Sequence, residues 1–120
     1  MTYFIALLIA ACSWIHVPDG AWEPTVRQVE ELQQLLEPYV DEQAIAWREE
    51  LSPWERYTFQ YQGQLIEGKE VIFINALCSE PPSQATKELV YIFDGGACYC
   101  RVYWDPASKA FTKFSFNGDA

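Results

Sequence analysis

Four cysteines and a single histidine carry most of the reactive chemistry this sequence offers. Cys98 and Cys100 stand two apart, so on a strand they point to one face with Cα atoms about 6.7 Å apart. Disulfide geometry at that spacing is strained. Two arrangements remain open: Cys78 pairs with Cys98 or Cys100, or the three thiols stay reduced and buried. Closing a loop of about 20 residues would add roughly 3 kcal/mol. In a simple meander, however, Cys78 and Cys98 fall at opposite ends of neighbouring elements, so the bond requires the 79–87 loop to travel back along the sheet. Zinc is disfavoured, because there is no second cysteine pair and the only histidine, His16, lies in the leading tether. A Cys-His or Ser-His catalytic pair would have to recruit that histidine from a mobile leading segment.

The carboxylates offer less. Glu30-Glu31, Asp41-Glu42 and Glu49-Glu50 are adjacent rather than facing pairs, which is the pattern of a solvated helix surface. Asp94-Gly95-Gly96 lacks the following Lys-Thr and helix start of a phosphate loop and reads as a turn. Net charge is −9 with a pI near 4.4, and ten acids against two bases, Arg27 and Arg48, lie between Asp19 and Glu55. That field repels phosphate backbones and excludes nucleic acid as the expected partner, whereas a basic protein would be drawn in.

The positioning elements follow from pattern. Half of the residues are apolar and 16% aromatic, enough for one folded domain in 120 residues. Thr25-Val26-Arg27-Gln28 is a capping box, and Val26, Val29, Leu32 and Leu36 continue it at helical spacing. Pro38 should stop that helix, leaving a shorter second one over 41–51. Ser52-Pro53-Trp54-Glu55 adds a helical turn. Strands are expected over 57–62, 69–78, 88–93, 97–104 and 110–116, with the loop 63–68 between the first two and a 93–97 hairpin between the middle pair. The expected architecture is α+β, helices packed on a four- to five-stranded antiparallel meander. If Gly95-Gly96 form the turn, Phe93 faces Cys98 and Tyr91 faces Cys100. Val90, Ile92, Tyr99, Arg101 and Tyr103 then share the opposite face. Covered by the Trp14–Trp22 segment or by loops, that face is core; left open, it is an aromatic binding surface centred on Arg101.

Residues 3–11 form an uncharged apolar run, too short for a membrane-spanning helix of about 20 residues but of signal-peptide length. Ile9-Ala10-Ala11-Cys12 resembles the lipobox of bacterial lipoproteins. The resemblance implies removal of 1–11, acylation of Cys12, a tether over 12–24 holding His16, and a single domain over 25–120. Ser13 resembles the pattern that sends such proteins to the outer membrane, facing the periplasm. The alternative is that the run is a buried first strand of an intracellular structural protein. From about residue 57 onward the chain also resembles a family of small bacterial exported proteins of unassigned activity. The stretches that carry it are Gly68-Lys69-Glu70-Val71-Ile72-Phe73-Ile74-Asn75-Ala76, Asp94-Gly95-Gly96-Ala97-Cys98-Tyr99 and Phe116-Asn117-Gly118-Asp119-Ala120. That family implies no substrate or cofactor. The expected function is therefore a non-enzymatic envelope lipoprotein, anchored in the membrane through Cys12, that binds a partner. The competing class is a small envelope enzyme using sheet carboxylates or a Cys78, Cys98 or Cys100 thiol.

Overall fold

The computed structural model describes residues 12–92 and 98–116. Its one long helix, α1 (Val26–Trp47), begins at the capping box. The Thr25 hydroxyl accepts from the Gln28 N–H at 3.1 Å, and the Gln28 side chain accepts from the Thr25 N–H at 2.9 Å. These bonds satisfy two donors that a helix start otherwise leaves unpaired. The buried stripe is Val29, Leu32, Leu36, Val40 and Ala44. It runs straight through Pro38, so the expected break and second helix are replaced by one helix. Pro38 and Gln34 are exposed, and water can solvate the carbonyl that the missing N–H leaves free. Continuing the helix is also what buries Val40 and Ala44. It ends at Arg48 (φ 57°), where the Arg48 and Glu49 N–H groups turn back onto Ile45 and Ala44. A 3₁₀ turn, Trp54–Arg56, fills the place of the expected helical turn.

Among the described residues, five strands follow the spatial order β1-β2-β3-β4-β5. They are β1 (Ser13–His16), β2 (Thr58–Ile66), β3 (Lys69–Leu77), β4 (Cys100–Asp105) and β5 (Ala110–Phe116). β1 pairs with β2 in parallel and the remaining neighbours are antiparallel, so the α+β sheet is mixed rather than a pure meander. The expected tether is thus partly a strand. Trp14 stacks on Phe59 with centroids 4.5 Å apart, and Val17 is 1% exposed. Burial of these apolar side chains outweighs the freedom of a tether. Beyond Asp19 (φ 65°) the chain returns antiparallel at the Trp22–Gly63 bridge. Gly63 therefore sits inside β2, not in a loop, and a Cβ there would collide with the Trp22 carbonyl. The β2–β3 hairpin turns on Glu67 and Gly68 alone, both with positive φ, as a primed turn requires.

One sheet face receives α1. Phe59, Ile72, Ile74, Ala76, Cys100, Val102, Trp104 and Phe116 form the core with the helix stripe. β5 feeds this core unevenly. Arg101 pairs with Ser115 but Tyr103 pairs with Thr112, so Lys113 and Phe114 together oppose Val102 as a β-bulge. Lys113 takes a positive φ of 55° there. The bulge shifts parity, so Phe111 reaches Trp104 and Tyr39 while Phe114 still reaches Trp47. Thr112 and Lys113 are left on the far side of the sheet.

The expected strand 88–93 is not one: through residue 92 the chain runs as an irregular crossover, and β4 pairs with β3 instead. The Asp94-Gly95-Gly96 turn, the apolar run 1–11 and the terminal 117–120 lie outside the described residues.

Candidate functional site

The second sheet face is built from rows of paired residues. Gln60, Asn75, Arg101 and Ser115 are register neighbours across four strands, and Gln62, Phe73, Tyr103 and Thr112 form the next row. The crossover lies over the first row. Gln60, fully buried, donates to the Ala85 and Glu88 carbonyls, both at 2.8 Å, and accepts from the Val90 N–H at 2.9 Å. It also accepts from the Asn75 amide at 2.8 Å, and Asn75 donates to the Val90 carbonyl at 2.6 Å. Two side-chain amides thus take the place that a neighbouring strand's backbone would have had.

Past this latch the face is open. Two adjoining hollows of about 240 and 270 Å³ share Tyr103 and Lys113 as a common wall. The first is lined by Val71, Thr112, Lys69 and Asp105 among others, the second by Gln64, Phe73, Tyr91, Arg101 and Ser115. Phe73 and Tyr103 pack 5.1 Å apart at 46° as the floor, and exposed Tyr91 stands at the rim. The ion pairs among the described residues are His16–Glu23, Lys69–Asp105 and Lys109–Glu31, so Arg101 and Lys113 face the groove without carboxylate partners.

The sequence-predicted face is therefore brought together in part. Arg101 and Tyr103 line the groove. Tyr99 does not: its hydroxyl bonds Ser79 at 2.8 Å, at the mouth of the crossover. Phe73, Gln64, Tyr91, Lys113 and Ser115 were missed. The signal for Lys113 was present in the spacing of Phe111, Phe114 and Phe116, since a gap of three then two cannot face one core without a bulge.

At the end of the groove, Asp105 is structural. Burial alone would raise its carboxyl, but the Ala107 and Ser108 N–H groups and Lys69 (3.2 Å) together hold it below the usual range. A lowered folded pKa means the contribution is fully present above the unfolded value of about 3.9 and is lost as pH falls through the folded one. An acid titration of stability should therefore steepen below about pH 4, and Asp105→Asn should flatten that limb. An unchanged limb would show that these bonds do not favour the ionised form.

Cys78 and Cys98 are bonded, with Cα atoms 5.3 Å apart. Register explains it. Ala76 pairs with Cys100, and two residues further along each chain the next same-face pair is Cys78 and Cys98. The crossover leaves and re-enters the sheet at one end, which removes the difficulty a meander posed. Cys100 is on the core face, and burial pushes its thiol up to about 12, so it is not a poised nucleophile. Cys12, at the foot of β1, also has its thiol raised, chiefly by burial and further by Glu37 and Glu55. His16 is on β1 rather than mobile, stacked on Tyr61 at 4.9 Å. Among the described residues no group of three His, Cys, Asp or Glu side chains is placed to hold a metal, and no helix is long and apolar enough to cross a membrane.

No family model, curated protein or solved structure matches this chain.

Proposed function

We propose that this chain is a non-enzymatic binding module of the bacterial cell envelope, anchored by a lipid on Cys12, and that its groove takes an anionic ligand with a flat apolar face. One observation carries the groove reading. In a chain of net charge −9, Arg101 and Lys113 have no carboxylate partner among the described residues and stand beside an aromatic floor. A half-buried guanidinium without a carboxylate is a costly arrangement unless something else neutralises it. Five of the seventeen acids, Glu30, Glu31, Glu37, Asp41 and Glu42, lie on α1, beyond the sheet, and their repulsion is screened over a Debye length of about 8 Å at physiological salt. The basic protein partner that net charge favours would meet the outer side of α1, where Glu30, Glu37, Asp41 and Glu42 are exposed. The address rests on the lipobox resemblance. An anchor at Cys12 would hold the domain with no spacer, because β1 starts at the next residue. Against the enzyme alternative stand the inert Cys100 thiol and an Asp105 carboxylate committed to its own turn.

The test is a titration of the folded protein with benzoate and with neutral benzyl alcohol, followed by amide NMR. Saturable shifts at Phe73, Arg101 and Tyr103 are expected for benzoate, weakened about tenfold by Arg101→Gln, the worth of one charge-assisted contact. Equal response to both probes, or shifts confined to other regions, would sink the groove reading. The address is tested separately by the intact mass of detergent-extracted protein, where a chain starting at unmodified Met1 would overturn it.

A further inference from the structure

We infer that the ligand of this groove is a carboxylate-bearing oligosaccharide, an inference that rests on the groove being the binding site. The first reason is where the groove lies. It is on the face of the sheet and reaches the edge strand β5, which supplies Thr112, Lys113 and Ser115. β3 and β4, which supply Phe73, Arg101 and Tyr103, are each paired on both sides, so their backbone groups are committed to the ladders. An extended peptide binds a sheet chiefly by adding main-chain bonds at an edge, so one added at β5 would lie beside the groove rather than in it. Recognition on the face itself comes from side chains.

Three kinds of side chain there match an acidic sugar; the first hollow also carries the carboxylates of Glu67 and of Asp105, the latter paired with Lys69. Tyr103, half-buried and packed on buried Phe73, presents an electron-rich ring on which the weakly positive C–H face of a pyranose can stack. Gln64, Thr112 and Ser115 surround the rings with neutral groups that both donate and accept, as sugar hydroxyls do. Arg101 supplies a planar fork that fits a carboxylate with two parallel bonds, while Lys113 supplies a point charge on the wall between the hollows. A lone inorganic anion would leave the aromatic floor unused. A phosphate polymer would need more cations than these and would meet a net charge of −9. The two hollows are of similar size and share one wall, which suits two consecutive rings of a chain, and together they reach the range of about 300–1,000 Å³ usual for small-ligand sites.

Isothermal titration of the full chain with tetragalacturonate, its methyl ester, poly-L-glutamate and inorganic phosphate decides the matter. Tetragalacturonate should bind saturably, and the neutral ester should bind about tenfold or more weakly, the loss of one charged hydrogen bond. Tyr103→Ala should weaken binding by a similar factor. Should that variant fold poorly, Lys113→Gly serves instead. A φ of 55° favours glycine, so the fold is kept while the charge is removed and affinity falls. Poly-L-glutamate or phosphate binding as tightly as tetragalacturonate would overturn the sugar inference and leave an anion groove standing. Failure of tetragalacturonate, poly-L-glutamate and benzoate alike would remove the groove itself.

Discussion

Replacing Gln60 by leucine is expected to destabilise the protein by about 4 kcal/mol, a large share of the 5–15 kcal/mol that holds a domain of this kind folded. The volume hardly changes, so no cavity is made. What is lost is four hydrogen bonds at a fully buried position: to the Ala85 and Glu88 carbonyls, from the Val90 N–H and from Asn75. A buried polar group left without a partner costs about 1–3 kcal/mol. The exposed Glu88 carbonyl can turn to water, but the segment at buried Ala85 cannot do so without lifting from the sheet. Urea unfolding gives the magnitude, and hydrogen exchange at the Val90 amide gives the cause. Val90 should lose protection while the β2–β3 ladder keeps it. A near-neutral Gln60→Leu would mean that the crossover is held from elsewhere. Because the crossover carries Tyr91 to the groove rim, ligand affinity should fall with it.

That latch also shows where local pattern stops informing. Leu89, Val90, Tyr91 and Ile92 have the composition of a strand, and taken alone they belong in one. What places them otherwise is a pair of amides 15 to 30 residues away whose side chains meet Val90 first. No window along the chain contains both partners. β1 is hidden in the same way. Its residues sit before Pro18 and Gly20 and follow a lipobox-like run, so they look like a spacer. The parallel pairing with β2 is a contact between Ser13 and Thr58 that nothing local announces. Pro38 misleads for a different reason. The penalty of about 3 kcal/mol for an interior proline is real, yet burying Val40 and Ala44 on a site whose free carbonyl faces water offsets it.

By contrast, features governed by short-range rules were legible. Thr25 and Gln28 form the helix start the motif prescribes, and Arg101 and Tyr103 share a face because β4 alternates regularly. Tyr99 would share it too, but it precedes β4 and is held by Ser79. Phe73 was hidden inside a run of Val71, Ile72, Phe73 and Ile74 whose two faces cannot be told apart by hydrophobicity. The run is covered on one side by α1 and on the other by neighbours such as Tyr103, so all four are buried. The groove is the uncovered remainder, a product of how far the crossover reaches, which composition does not encode.

The disulfide supplies the second large effect. Converting Cys78 and Cys98 together to serine should lower stability by about 3 kcal/mol, the chain-entropy value for a loop of this length. Substituting both avoids leaving a thiol to pair with Cys12 or Cys100. The bond closes the neck of the crossover, so it and the Gln60 latch restrain one segment at two points. Their losses should therefore not add. With the crossover already detached by Gln60→Leu, the native state is less ordered there, and removal of the disulfide should be felt mainly as greater freedom of the unfolded chain. A double-mutant cycle in urea, run under non-reducing conditions, measures the coupling, and an interaction energy of about 1 kcal/mol or more is expected for residues acting on one element. Strict additivity would mean that neck and latch hold independent segments. Loss of much less than 1 kcal/mol in the double serine variant would mean that the latch alone fixes the crossover and that the disulfide constrains an unfolded chain already kept compact.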